Sequence, residues 1–127
     1  MARSDRPGDP ADSRRKIGAQ YEQLAAEYFK GLGFDIIEHN WQAGHREIDL
    51  IIRNENLVVF VEVKSAATKS FGHPVERVDK TKIRRLTSAA QQYLLAKNLQ
   101  GVDLQFDVIT FVEGRLEHFP DAFEVEP

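Results

Sequence analysis

The feature that most constrains the fold is a pair of adjacent apolar segments joined by a short polar turn. Residues 47–53 and 57–64 flank Asn54-Glu55-Asn56, a pattern that predicts an antiparallel β-hairpin. The second segment is almost wholly apolar until Glu62, which is typical of a central strand covered on both faces. The hairpin therefore indicates a sheet that lies between two other layers.

The remaining segments supply those layers and the other strands. Apolar residues recur at helical spacing in two segments, which predicts two amphipathic helices. The first has a buried stripe of Tyr21, Leu24, Ala25, Tyr28, Phe29 and Leu32, and the second has Ile83, Leu86, Ala90, Tyr93 and Leu94. The predicted order is a helix over about 17–32, strands over 34–39, 47–53 and 57–64, a loop over 65–78, a helix over about 79–97, and strands over 104–112 and 115–119. This order predicts a mixed α/β domain with a sheet of about five strands flanked by helices.

Length and composition fit one globular domain. The chain has 127 residues, of which 42% are hydrophobic and 29% charged, so collagen, coiled coil and wholesale disorder are excluded. We expect residues 1–16 to form a flexible arm and residues 17–127 to form the domain. The chain has no cysteine, which excludes disulfides and cysteine-ligated metals. Without a membrane span or an export signal, we expect a cytoplasmic location and no membrane partner.

The net charge of −3 conceals a basic zone. From Lys64 to Arg85 the sequence has seven bases against two acids. Such a zone can contact a polyanion even in an acidic protein, although a solvated helix face is the plainer interpretation. The candidate nucleic-acid-binding residues are Lys69, His73, Lys80, Lys82, Arg84 and Arg85.

Two acids and a lysine converge on the predicted hairpin. Glu62 and Lys64 lie two residues apart on one strand, so they point to the same side of the sheet. Folding the hairpin about Glu55 pairs Asp49 with about residue 61, and a shift of one residue brings it opposite Glu62. Buried charges need partners, so this place is either a cross-strand ion pair or a functional site.

A divalent cation is the functional alternative. Two close carboxylates repel one another, and Mg²⁺ or Mn²⁺ removes that conflict by taking oxygen ligands. Asp49 and Glu62 are the candidate metal ligands, with the carbonyl of Val63 as a further oxygen. Lys64 could then orient or deprotonate a water, or stabilise charge on a phosphoryl group. This combination predicts phosphodiester hydrolysis.

Several ordered motifs resemble one family. They are Glu-Ile-Asp-Leu-Ile at 47–51, Val-Phe-Val-Glu-Val-Lys at 59–64 and Phe-Gly-x-Pro at 71–74. Together they resemble the YraN family of small bacterial proteins, which is similar to Holliday junction resolvases and to the PD-(D/E)xK nucleases with a restriction-endonuclease-like fold. The resemblance implies that Asp49 and Glu62 bind metal, that Lys64 assists the nucleophile and that Glu22 is an additional ligand. It also implies DNA as the partner and a homodimer.

The resemblance leaves differences and alternatives. Arg46 stands where the family usually has glycine, and Ala66 stands where it often has arginine. Glu47 is expected to be an outer carboxylate or an ion-pair partner. The leading hypothesis is a magnesium-dependent endonuclease acting on DNA, including branched DNA. The alternatives are a nucleic-acid-binding or scaffolding domain with little or no turnover, and a protein–protein adaptor that uses the acidic C-terminal region.

Overall fold

Two α-helices and five β-strands make up the computed structural model, which describes residues 10–66 and 80–123. The elements are α1 (Pro10–Gly31), β1 (Asp35–Ala43), β2 (Arg46–Asn54), β3 (Leu57–Ala66), α2 (Lys80–Ala96), β4 (Asp103–Val112) and β5 (Arg115–Phe119). The strands form one sheet in the order β1-β2-β3-β4-β5. No helix within these residues is long and apolar enough to cross a membrane.

The sheet is mixed, as the sequence predicts. β3 and β4 are parallel neighbours, and every other neighbouring pair is antiparallel. A parallel pair needs a crossover connection, and α2 lies in that connection between β3 and β4. The predicted α/β class is confirmed, and the arrangement is consistent with a restriction-endonuclease-like fold.

The two helices cover opposite faces of the sheet. Ala25, Ala26 and Phe29 of α1 pack with one set of buried strand residues, and α2 packs with another. Along β3, the side chains of Val59 and Val61 contribute to the α1 side while those of Val58 and Phe60 contribute to the α2 side. β3 is therefore the doubly covered strand that its apolar sequence predicts.

The helix α1 differs from its prediction in its first residue and in the set of side chains that it buries. It begins at Pro10, a residue whose fixed φ suits the first helical position, whereas the sequence predicted a start at about residue 17. Leu24 and Leu32 are 53% and 51% exposed. The small Ala25 and Ala26 meet the sheet, so the buried stripe is rotated away from the two leucines.

The second helix agrees more closely with its prediction. Leu86, Ala90 and Tyr93 are buried as expected, and Thr87 and Ala89 join them. Ile83 and Leu94 are only half-buried, because they lie at the margins of the face that meets the sheet. The predicted loop over 65–78 and the predicted start of this helix at 79 fall largely on residues 67–79, which lie outside the described residues.

The hairpin between β2 and β3 has a two-residue loop. Asn54 pairs with Leu57, and the ladder continues to the pairing of Leu50 with Val61. The next step in this register places Asp49 opposite Glu62. The prediction placed the centre of the hairpin on Glu55, whereas the observed centre lies between residues 55 and 56. Each residue of β2 therefore pairs with the residue of β3 that is one position later than predicted.

The alternation of side chains along β2 is interrupted at Asp49, beside the neighbouring strand β1. Ile48 packs on the α2 side of the sheet, whereas Leu50, two residues later, packs on the α1 side. Regular strands keep such residues on one face. Across from Asp49, Asn40 has a positive φ of 49°, and neither residue appears in the otherwise continuous pairing from Glu38 to Ala43. Asp49 therefore lies at a local irregularity, a feature often found beside functional sites.

A buried acid connects α1 to the far end of the sheet. Asp107 is 2% exposed, and its Oδ2 lies 2.6 Å from Nε2 of His118, whose Nδ1 lies 2.9 Å from the Tyr28 hydroxyl. Asp107 Oδ1 accepts hydrogen bonds from Gln105 and from the backbone N–H of Asp121. Because these partners satisfy the buried carboxylate, the network fixes the position of α1, the helix that carries Glu22.

Candidate active site

Three carboxylates from two elements meet at one end of the sheet. Glu22 projects from α1, and Glu47 and Asp49 project from β2. One oxygen of each carboxylate lies within 4.8 Å of the others. We call these three residues the acidic cluster. Three negative groups at this separation repel strongly unless protons or cations intervene.

Asp49 is the most perturbed member of the acidic cluster. Its Oδ2 accepts a hydrogen bond of 2.7 Å from the backbone N–H of Val63. Burial, followed by the charge of Glu62, raises the pKa of Asp49 to about 8, and the Val63 hydrogen bond only partly opposes this rise. Asp49 therefore carries a proton at neutral pH when no cation is bound. A group shifted by this amount beside other acids is a typical mark of a functional site.

Glu22 is held at the same place by contacts with β1 and β2. Burial raises the pKa of its carboxyl, and the charge of Glu47 adds to the rise, while hydrogen bonds with Asn40 and Asp49 oppose it. Asn40 is the residue with the left-handed backbone opposite Asp49. The local irregularity of β1 and β2 thus brings a polar side chain against the helical acid.

Glu62 and two lysines form the neighbouring group. Lys82 Nζ of α2 lies 2.9 Å from Glu62 Oε1. Burial and a hydrogen bond with Lys82 lower the pKa of Lys64. Burial opposes the charged form of Lys82, but its contacts with Lys64 and Glu62 outweigh burial and raise its pKa. Lys82 is therefore the charged partner of Glu62, and Lys64 is the lysine that more readily gives up its proton.

The structure brings the central predicted residues together. Asp49 interacts electrostatically with Glu62, Glu22 and Glu47, and Lys64 interacts with Asp49 and Glu62. Glu47, which the sequence left as an outer carboxylate or an ion-pair partner, belongs to the acidic cluster. The metal roles of Asp49, Glu22, Glu62 and the Val63 carbonyl all stay predictions. Glu62 is paired with Lys82, and Val63 donates its backbone N–H to Asp49.

The predicted nucleic-acid-binding residues divide into three groups. Lys80, Arg84 and Arg85 are exposed on α2, as expected. Lys82 is half-buried because it turns toward Glu62. Lys69 and His73 lie outside the described residues. Helical periodicity places Lys82 on the flank of α2, and its partner on β3 could be identified only from the tertiary structure.

A cleft of about 530 Å³ opens beside the acidic cluster. Its lining includes His45, Arg46, Glu47, Glu62, Lys82 and Arg85. We call it the substrate cleft. Acids that suit a cation and bases that suit a phosphate therefore line one concave surface between β2, β3 and α2.

The donor set fits a hard divalent cation. Mg²⁺ and Mn²⁺ prefer oxygen ligands, usually one or two carboxylates together with waters and substrate phosphates. The acidic cluster offers three carboxylates, and no cysteine exists to favour a softer metal. Burial raises the pKa values of Asp49 and Glu22, and the charges of neighbouring acids add to the rise; a bound cation would oppose both effects.

Comparison with known proteins finds one family, both by the family model and among the most similar relatives. The family model described as "Uncharacterised protein family UPF0102" matches residues 21–111, a segment that contains the acidic cluster, Glu62 and both lysines. A UPF0102 protein of Persephonella marina is 34% identical to this chain over 86% of this chain and 94% of its own length. Similar proteins of Chloroherpeton thalassium and Anaeromyxobacter dehalogenans are 39% and 37% identical, over 76% and 92% of this chain and 74% and 90% of their own lengths.

Proposed function

The chain belongs to the family UPF0102, and we propose that it is a divalent-metal-dependent endonuclease that hydrolyses phosphodiester bonds in DNA, including branched DNA. This membership confirms the resemblance to the YraN family drawn from its motifs. The observation that carries the proposal is the acidic cluster, in which three carboxylate oxygens lie within 4.8 Å of one another. The adjacent substrate cleft and the two lysines beside it support the same chemistry.

In this proposal Glu22, Glu47 and Asp49 hold Mg²⁺ or Mn²⁺, with Glu62 close enough to contribute negative charge. When bound, the cation supplies Lewis-acid stabilisation of phosphoryl charge and makes a bound water more acidic. Other residues of the chain position these acids: the Val63 N–H orients Asp49, and Lys82 positions Glu62. Lys64 faces the same place and either takes a proton from the attacking water or stabilises charge on the phosphate.

DNA geometry adds one requirement to the proposal. Symmetric cleavage of a branched junction needs two sites related by a two-fold axis, which a homodimer supplies. We therefore include dimerisation on DNA in the proposed function for branched substrates. Hydrolysis of simple duplex DNA needs only one site.

A nucleic-acid-binding domain without turnover is the second candidate. The ion pair between Glu62 and Lys82 favours it, because this pair neutralises a carboxylate that would otherwise help to hold a cation. Such a domain would bind DNA through its basic residues but would have no need for the metal. Metal binding therefore separates the two candidates.

Calorimetric titration with Mn²⁺ tests the metal site. We expect the wild-type protein to bind the ion and to release protons as it does so, because Asp49 carries a proton at neutral pH. Asp49→Asn keeps the side-chain shape but removes a ligand charge, so we expect its Mn²⁺ affinity to fall by at least about tenfold.

Glu27→Gln is the matched control for this titration. Glu27 lies on the same helix as Glu22, but it is exposed and contacts only Gln23 and Lys30 among the described residues. It should bind Mn²⁺ as the wild type does. Equal Mn²⁺ binding by wild type and Asp49→Asn, or none by either, would contradict the metal site.

A further inference from the structure

Two exposed arginines from different elements lie between two clefts. Arg46 begins β2, and Arg85 lies on α2. Both line the substrate cleft, and both also line a second cleft of about 530 Å³ together with Gly44 and Gln92. His45 lines the two clefts as well. His45, Arg46 and Arg85 therefore lie at the boundary of the two clefts, and we call them the shared wall. A long ligand could extend over this boundary from one cleft into the other.

Neither guanidinium has an acidic partner within residues 10–66 and 80–123. Arg46 donates a hydrogen bond of 3.3 Å to the hydroxyl of Ser88. The acids on the same cleft are engaged elsewhere, since Glu47 accepts from Gln42 and belongs to the acidic cluster. Two guanidinium groups without a carboxylate make this wall positive, although the whole chain has a net charge of −3.

The wall lies next to the proposed catalytic residues. Arg46 immediately precedes Glu47 of the acidic cluster. Arg85 follows Lys82 by three residues, so the two share one face of α2, and Lys82 contacts Glu62. An anion held between Arg46 and Arg85 would therefore lie beside the acidic cluster. Arg84, the neighbour of Arg85, is equally exposed but lines neither cleft.

The two guanidinium groups of the shared wall favour a phosphate group as the ligand. A guanidinium offers planar paired donors that match phosphate oxygens, and it stays charged at every relevant pH. The hydrogen bond to Ser88 holds Arg46 against α2, the helix that carries Arg85. The open clefts on both sides leave room for a chain to continue past the bound group.

We propose that Arg46 and Arg85 form a phosphate-binding subsite for an internal phosphodiester of DNA, the one adjoining the bond that is cut. The inference rests on the proposed function, because it assigns the substrate's position in that same site. The proposed subsite gives different roles to two of the predicted basic residues of α2. Arg85 contacts the DNA backbone near the cut, and Arg84 does not. Arg46 becomes a substrate-positioning residue that the basic zone of the sequence did not include.

The test measures binding of a fluorescein-labelled DNA duplex by the full-length chain in EDTA, where no cleavage occurs, across a salt titration. We expect Arg46→Ala and Arg85→Ala each to weaken binding by about tenfold, and the double variant to reduce the log–log salt slope by about 0.9, the value for one lost phosphate contact. The double variant should lose less than the product of the two single losses, since both residues hold one group. Arg84→Ala is the matched control and should leave affinity and slope unchanged.

The second arm compares duplexes with and without a 5′-phosphate. Equal losses on both duplexes support an internal phosphodiester, whereas a loss only on the 5′-phosphorylated duplex would overturn it in favour of a terminal phosphate. Equal effects of Arg84→Ala and Arg85→Ala, or no effect of Arg46→Ala, would also overturn the subsite. Failure of the metal site leaves these binding results unaffected, so the two proposals fail separately, and unchanged melting temperatures confirm that the variants are folded.

Discussion

Replacing Lys64 by alanine is expected to reduce the rate of DNA cleavage by about 10²–10³-fold while leaving DNA affinity nearly unchanged. The reason is that Lys64 shares a strand face with Glu62 and interacts with Asp49, so the proposed function places it beside the reacting group. Removal of one preorganised stabilising group typically costs a rate factor of that size. Single-turnover cleavage of a labelled four-way junction in Mg²⁺, together with a binding titration in EDTA, measures the two effects separately.

Two further variants define the role of Lys64. Lys30→Ala, which changes an exposed lysine paired with Glu27, should cleave at the wild-type rate. Lys64→Arg keeps a positive charge but cannot become neutral, so partial activity would indicate charge stabilisation and complete loss would indicate proton transfer. Cleavage by Lys64→Ala at the wild-type rate would remove Lys64 from the mechanism and point to a contaminating nuclease.

Asp49→Asn is expected to stabilise the metal-free protein, and increasingly so as the pH rises. Burial and the charge of Glu62 raise the pKa of folded Asp49 from 3.8 to about 8. Between these two values the folded state binds more protons than the unfolded state, so the free energy of unfolding falls as the pH rises. Asparagine has no proton to lose, so the advantage of the variant grows from about pH 4 and is complete above about pH 8.

The expected gain above about pH 8 is on the order of 2 kcal/mol, a value well below the full linkage energy because the site is partly solvated. For a domain of this size that corresponds to a rise of about 4–8 °C in the melting temperature. Thermal melts in EDTA at about pH 4 and about pH 9 measure it. A difference between variant and wild type that does not change with pH would contradict the shifted pKa. Added Mn²⁺ should reduce the advantage of the variant, because the ion binds and stabilises the wild type more strongly.

The β-strands were largely predictable because their signals are local. The apolar run of β3 and the polar turn before it identify a buried strand and a hairpin without any tertiary information. The bounds of β5 were predicted correctly, at Arg115–Phe119. The helix α1 was less predictable, since its start depends on Pro10 and its buried face depends on how closely Ala25 and Ala26 approach the sheet.

The candidate site was predictable as a set of residues but not as a set of contacts. The spacing of Glu62 and Lys64 fixes their common face, and the hairpin brings Asp49 near them. The break in alternation at Asp49 lies opposite the positive φ of Asn40 on another strand, and no local pattern reveals this arrangement. The contact between Lys82 and Glu62 joins an α2 residue to β3, so helical periodicity could place Lys82 only on a flank.

Metal-dependent cleavage of DNA is the activity that the acidic cluster should confer. Labelled duplex and four-way-junction DNA are incubated in Mg²⁺ with purified wild type, Asp49→Asn and the surface control Glu27→Gln. We expect cleavage by the wild type and by Glu27→Gln, none by Asp49→Asn, and none by any protein in EDTA. Absence of cleavage by the wild type in both Mg²⁺ and Mn²⁺, or equal cleavage by Asp49→Asn, would contradict the assignment of the acidic cluster as a nuclease centre.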